Sequence, residues 1–199
     1  MAAVSKVSIA NLALSHVHAK STIESLTESS TEARLANLWY DVARREVLAS
    51  FNWRFARKRL ALAEHSDDAP EDEWSYRYQY PADCLAPRYM ENQIAVDADA
   101  VPFDVELSTD GTMSIVTDLE DARLVYTRDQ ETVSTFSPHF VVCLSYRLAW
   151  YIAGALTAKQ TLAATVDKKY QEALTLAAAH DASQRVSRAP RDASWIRER

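Results

Sequence analysis

The spacing of apolar residues along the chain changes character twice. Over 4–18, Val7, Leu12 and Leu14 stand among small residues and predict a short amphipathic helix. Ser29 followed three positions later by Glu32 has the spacing of a capping box, which predicts that a second helix starts there. Leu35, Leu38, Trp39, Val42 and Ala49 fall on one side of it and Arg34, Asn37, Asp41, Arg44 and Arg45 on the other, and it ends near Phe51-Asn52-Trp53. The period then shortens. Trp74, Tyr76, Tyr78 and Tyr80 occupy every second position, as on a strand with one apolar face, and Pro81 ends the run. Further strands are predicted at 87–94, 102–107, 113–117 and 123–126, with Asp110-Gly111 as a hairpin turn. Helical spacing returns after Ser137-Pro138, a serine N-cap with proline at the first helical position. Residues 140–157 carry one charge, Arg147, and a last helix over 162–185 sets Leu162, Val166, Tyr170, Leu174 and Ala177 along one stripe. The pattern from 186 onward has no period and reads as extended.

These elements predict an α+β fold. Three to four helices, two of them long and C-terminal, make a helical bundle body from 1–57 and 138–187. A small antiparallel β region, 58–137, is inserted between its halves, and 188–199 forms an extended C-terminal arm.

Composition narrows the chemistry. The chain has 199 residues, enough for one domain with an insertion, and 48% are hydrophobic. It has two glycines, Gly111 and Gly154, too few and too far apart for a phosphate loop, a dinucleotide fingerprint or a nucleophile elbow. Cys84 and Cys143 make neither a disulfide framework nor a four-cysteine zinc site. The formal charge of −6 does not suit a free-standing nucleic-acid binder. Residues 185–199 hold five arginines against Asp192 and Glu198, so this stretch is +3 and the remainder −9.

Residues 140–157 approach the length of a membrane span, but Arg147 near the centre favours a helix buried by protein, and no membrane association is expected. His139 and Cys143 share a helical face and have no third ligand or orienting carboxylate at usable spacing. His16 and His18, two apart, point to nearly opposite sides of a helix. The acidic loop 67–73 lacks the glycine and ligand spacing of a calcium loop. Asp83, Asp104 and Glu106 are the carboxylates that a hydrolase would use, and a soluble interaction module is a further alternative. In the tail, Trp195-Ile196 among arginines and Pro190 has the composition of a segment that docks on a partner.

The order of several stretches resembles a known family. They are Ile9-Ala10-Asn11-Leu12-Ala13-Leu14, then a helix closing on Arg45-Glu46-Val47-Leu48-Ala49-Ser50-Phe51-Asn52-Trp53-Arg54-Phe55-Ala56-Arg57-Lys58, then Tyr78-Gln79-Tyr80-Pro81-Ala82-Asp83-Cys84-Leu85, and Phe136-Ser137-Pro138 before two long helices. Over residues 9–185 the chain resembles the head-to-tail adaptors of tailed bacteriophages, called tail tubular protein A in short-tailed phages. The resemblance implies a structural virion protein without enzymatic activity, metal or cofactor. It implies a ring of about twelve copies between the portal and the tail nozzle, assembled in the host cytoplasm. Double-stranded DNA would pass through the ring without specific binding. Leu38, Trp39, Val42, Leu144, Leu148, Ile152, Leu162, Val166, Tyr170 and Leu174 would pack subunits together. Trp74, Tyr76, Tyr78 and Tyr80 would face the nozzle, and Arg188, Pro190, Arg191, Trp195, Ile196 and Arg197 would dock on the portal.

Overall fold

The computed structural model describes residues 4–70, 73–91, 101–156 and 160–184, with Gln160 as backbone alone. It contains four helices and two small antiparallel sheets, a mixed α+β fold. The tail residues Arg188, Pro190, Arg191, Trp195, Ile196 and Arg197 lie outside the described residues.

Helix α1, Lys6–His16, opens on a reciprocal cap between Ser5 and Ser8. Its buried stripe is Ile9, Ala10, Ala13 and Leu14, while Leu12, expected inside, is 43% exposed. Helix α2, Thr31–Ser50, starts one residue later than the sequence suggests: the Ser30 hydroxyl, not that of Ser29, accepts from the Ala33 amide. Glu28 braces this cap by accepting from the Ser30 hydroxyl and from the Glu24 and Ser25 amides. The phase of α2 also differs from expectation. Ala33, Ala36, Tyr40, Ala43, Val47 and Leu48 are buried, whereas Leu38 and Val42 face outward. Alanines on the inner side let neighbouring helices come close, and that contact outweighs the burial of two larger side chains.

Helix α3, Pro138–Leu156, begins as expected, with the Ser137 hydroxyl accepting from Phe140, and packs against α1, α2 and α4, Gln160–Ser183. At the foot of these helices the Trp53 indole donates to the Val47 carbonyl at 2.7 Å. Its ring meets Phe51, Phe55 and Phe140 edge-on or tilted. The recurrent aromatic residues of 51–55 therefore form the floor of the helical core.

Between α2 and α3 the described residues make six strands. β1 (Arg57–Ala61), β6 (Arg123–Arg128) and β3 (Cys84–Met90) form one sheet in that order, and β2 (Tyr76–Gln79), β5 (Met113–Thr117) and β4 (Phe103–Leu107) form the other. β1 was not predicted, because Arg57-Lys58-Arg59 hides any alternation. Leu62, Tyr78, Met90, Ile115, Ala122, Leu124 and Tyr126 fill the space between the sheets. Since β1 leaves the helices and β6 returns to them as paired neighbours, the β region closes at its own base.

Two arginines fasten this base to α2. Arg44, expected on the polar side, is wholly buried. Its guanidinium donates to the Asp129 carboxylate, the Gln130 carbonyl and, at 3.2 Å, Asp41. Burial opposes its charge, but Asp129 and Asp41 outweigh that and raise its pKa. Arg88 of β3 donates to the carbonyls of Leu48, Ala49 and Phe51 at 3.3, 2.9 and 2.8 Å and to the Thr127 hydroxyl at 2.8 Å. It thus caps the electronegative C-terminus of α2. We predict that Arg88→Met lowers stability by about 2 kcal/mol, measured by urea unfolding, because it strands the helix-end carbonyls.

Among the helices, His16 stacks on Tyr146 with ring centroids 4.0 Å apart and meets the Ser145 hydroxyl at 3.1 Å. The Ser145 hydroxyl donates to the Val142 carbonyl, so its oxygen accepts from the His16 Nε2–H of a neutral ring. Burial lowers the His16 pKa below its ordinary 6.5. The unfolded chain then binds a proton that the fold does not, and stability falls as pH drops below about 6.5. Between pH 7 and 5 the wild type should lose stability, and His16→Gln should show a flatter profile by thermal melts across that range.

Candidate functional site

The candidate subunit-packing residues fall into two groups. Leu144, Leu148 and Ile152 are fully enclosed, and Val166 and Tyr170 are 3% and 4% exposed. They pack within the chain and not between subunits, because α3 is already surrounded by three helices of its own molecule. Leu162 and Leu174 lie part-buried against the same core. Leu38 and Val42 are different. They are 61% and 45% exposed and stand one turn apart on the outer side of α2. Charged, exposed Arg34, Asp41 and Arg45 surround them in the helix.

Beside this pair runs an aromatic belt. Trp39 stacks on Tyr151, centroids 4.7 Å apart and planes within 9°, and Tyr151 meets Trp150 edge-on. Arg147 lies over Trp150, Tyr151 and Tyr170 at 4.3, 5.2 and 5.3 Å from the ring centres. Its guanidinium makes a two-pronged pair with Glu46 of α2 and reaches Asp167 of α4 at 3.5 Å, while the Tyr151 hydroxyl donates to Glu46 at 2.8 Å. Burial opposes the charge, yet Glu46 prevails and the Arg147 pKa rises. The one charge in 140–157 therefore joins three helices, and its partner Glu46 stands one turn beyond Val42 on α2. Helix α3 is by length and composition able to cross a membrane, but half of its apolar window is buried by protein. Arg147→Met should cost about 2 kcal/mol, less than a deeply buried pair because Glu46 is partly exposed. Glu46→Gln combined with Arg147→Met should cost less than the two single changes added together, a non-additivity that a double-mutant cycle by urea unfolding resolves.

The aromatic strand is shorter than its pattern. Trp74 precedes β2 and is half-buried, Tyr76 and Tyr80 are half-buried, and Tyr78 is 1% exposed inside the β core with its hydroxyl donating to the Leu119 carbonyl. Tyr78 is thus removed from any outer surface, because a sandwich of two sheets needs its alternate residues within.

The groups with reactive potential are engaged separately. Burial pushes the Cys143 thiol up to about 12, and the His139 ring lies tilted against that of His180 of α4 with centroids 4.2 Å apart. Asp83 accepts from Lys58 at 2.8 Å and from the Tyr126 hydroxyl at 2.6 Å. Asp104 accepts from the Val105 amide, and Glu106 pairs with Arg77 at 2.6 Å. Each of the three carboxylates thus has its own partner, Lys58 and Tyr126 for Asp83, the Val105 amide for Asp104 and Arg77 for Glu106. An open cleft of about 340 Å³ is lined by His65, Ser66, Gln79, Tyr80, Asp110, Thr112 and Met113. In it the Asp67 amide donates to His65 Nδ1, and His65 Nε2 lies 3.2 Å from the Thr112 hydroxyl. The Ser108 and Thr109 hydroxyls hold the Asp67 carboxyl down to about 2. These bonds staple the acidic loop to the β4–β5 hairpin. Among the described residues no group of three or more metal-ligating side chains occurs.

No protein-family model matches this chain, and neither does any curated protein.

The arginine anchors, the outward phase of α2 and the Glu46–Arg147 pair were not read from the sequence. A signal for the last existed: a lone arginine in an apolar helix calls for a carboxylate across the interface.

Proposed function

We propose that this protein is a structural building block of a bacteriophage particle, a head-to-tail connector whose copies form a ring between portal and tail nozzle. The observation that carries the reading is the outward pair Leu38 and Val42 on a helix tied to α3 through Glu46 and to the β region through Arg44. Two apolar side chains one turn apart, with charged neighbours at the rim, have the composition of an interface centre. The resemblance of the order of residue stretches to that of the adaptor family supports the same reading. In it the helices are the bundle body that packs around the ring, the β region is an insert facing the nozzle through Trp74, Tyr76 and Tyr80, and 188–199 is an arm reaching the portal. DNA passes through the opening, and neither a cofactor nor a membrane takes part.

Replacing Leu38 and Val42 with aspartate tests the reading. Exposed positions should tolerate the change, so the variant folds with an unaltered melting temperature but no longer assembles on purified portal, as seen by native mass spectrometry and negative-stain imaging. Rings of unchanged stoichiometry from this variant contradict the assignment. Deleting residues 192–199 should likewise leave a folded protein that fails to join the portal.

A further inference from the structure

We infer that the outer edge of β4, with which no described residue pairs, accepts an extended, basic segment of a partner protein as a fourth strand of its sheet. The inference holds whether or not the chain is a connector, because it stands on strand pairing and charge alone.

A sheet edge presents unpaired N–H and C=O groups, and proteins blunt such edges unless they are used. Among the described residues, three of the four sheet edges are blunted. β1 carries Arg57, Lys58 and Arg59 in succession. β2 is covered by 63–65: Glu64 bridges Tyr78, the Gln79 amide donates to Ala63, and the His65 amide donates to Arg77. β3 contains Pro87 and two register shifts. Among the described residues nothing pairs with the outer edge of β4.

The register shows which groups face out. The hairpin turns at Gly111, whose backbone is left-handed at φ 80 and whose amide donates to Ser108, and the Ser108 amide donates to the Thr112 carbonyl. Ser108–Thr112 is therefore a hydrogen-bonded pair, and by alternation so are Glu106–Ser114 and Asp104–Val116. The amides and carbonyls of Phe103, Val105 and Leu107 point away from β5. One of these amides, that of Val105, is taken by the Asp104 carboxylate at 2.7 Å. On the core-facing side, Leu107 and its cross-strand partner Met113 are 69% and 49% exposed at the hairpin tip.

Charge selects the occupant. Residues 60–122 contain sixteen acidic side chains against Arg77 and Arg88, a net of −14 in a chain of −6, so the rest carries +8. Arg77 is held by Glu106, the Asp68 carbonyl and the Ser114 hydroxyl. Two β4 edges cannot pair with each other without opposing Asp104 against acidic neighbours. A strand with arginine or lysine at alternate positions meets Asp104 on the outer side and lays its apolar residues beside Phe103, Val105 and Leu107 on the other. As it docks, Asp104 exchanges the Val105 amide for the incoming cation and the amide pairs with the new strand.

The test uses the full chain and a synthetic hexapeptide of alternating valine and arginine, with a valine–glutamate hexapeptide as its counterpart. Binding is followed by fluorescence anisotropy, and protection of the Phe103 and Leu107 amides by hydrogen exchange. The basic peptide should bind and protect both amides, and the acidic one should not. Val105→Pro, which deletes an outward amide without touching the β5 ladder, should weaken binding at least about tenfold. Asp104→Lys leaves the backbone intact and carries the test even if the proline variant unfolds: it should lose the basic peptide and gain the acidic one. Equal binding of both peptides, binding without protection at β4, or no binding at millimolar peptide overturns the inference.

Discussion

A guanidinium enclosed by protein has to find its counter-charges nearby, and in this molecule that requirement fixes how strands meet helices. Arg44 is sealed inside α2's inner face and satisfied by Asp129, at the point where β6 turns back toward the helices. Arg45 reaches the other oxygen of the same carboxylate at 2.9 Å. The Asp129 amide in turn donates to the Asp83 carbonyl, and Asp83 holds Lys58 and Tyr126. One chain of polar contacts thus runs from the middle of α2 through the base of the first sheet. Arg88 adds a second attachment at the end of α2. With the middle and the C-terminal end of α2 fixed in this way, the opposite face of the helix is left to present Leu38 and Val42 outward.

Much of the architecture was legible because it rests on local rules. Ser137-Pro138, the Asp110-Gly111 turn and the strand Met113–Thr117 follow from capping, turn geometry and period-two spacing, and all three appear where those rules put them. The phase of α2 was not legible. Its pattern assigns the large side chains to the interior, whereas close helix packing selects the alanines, and that choice depends on neighbours remote in sequence. Arg44 shows the same limit, since Asp129 is 85 positions away and nothing local marks it as a partner. The candidate packing residues separate on this ground: Leu144, Leu148, Ile152, Val166 and Tyr170 are absorbed by the molecule's own helices, Trp39, Leu162 and Leu174 are partly so, and Leu38 and Val42 face outward.

Charge divides the molecule in a way that its total conceals. The acidic excess belongs to the stretch between α2 and the last strand, and the remainder is basic. The reactive side chains, by contrast, are each committed to structure: Cys143 to the helical core, Asp83 to the sheet base and Glu106 to Arg77.

The most direct measurement is a cryo-electron microscopy reconstruction of purified phage particles whose genome encodes this chain. The connector account predicts a closed ring of this fold below the portal, with Leu38 and Val42 against an adjoining subunit. Particles that are complete and infectious without this protein contradict it.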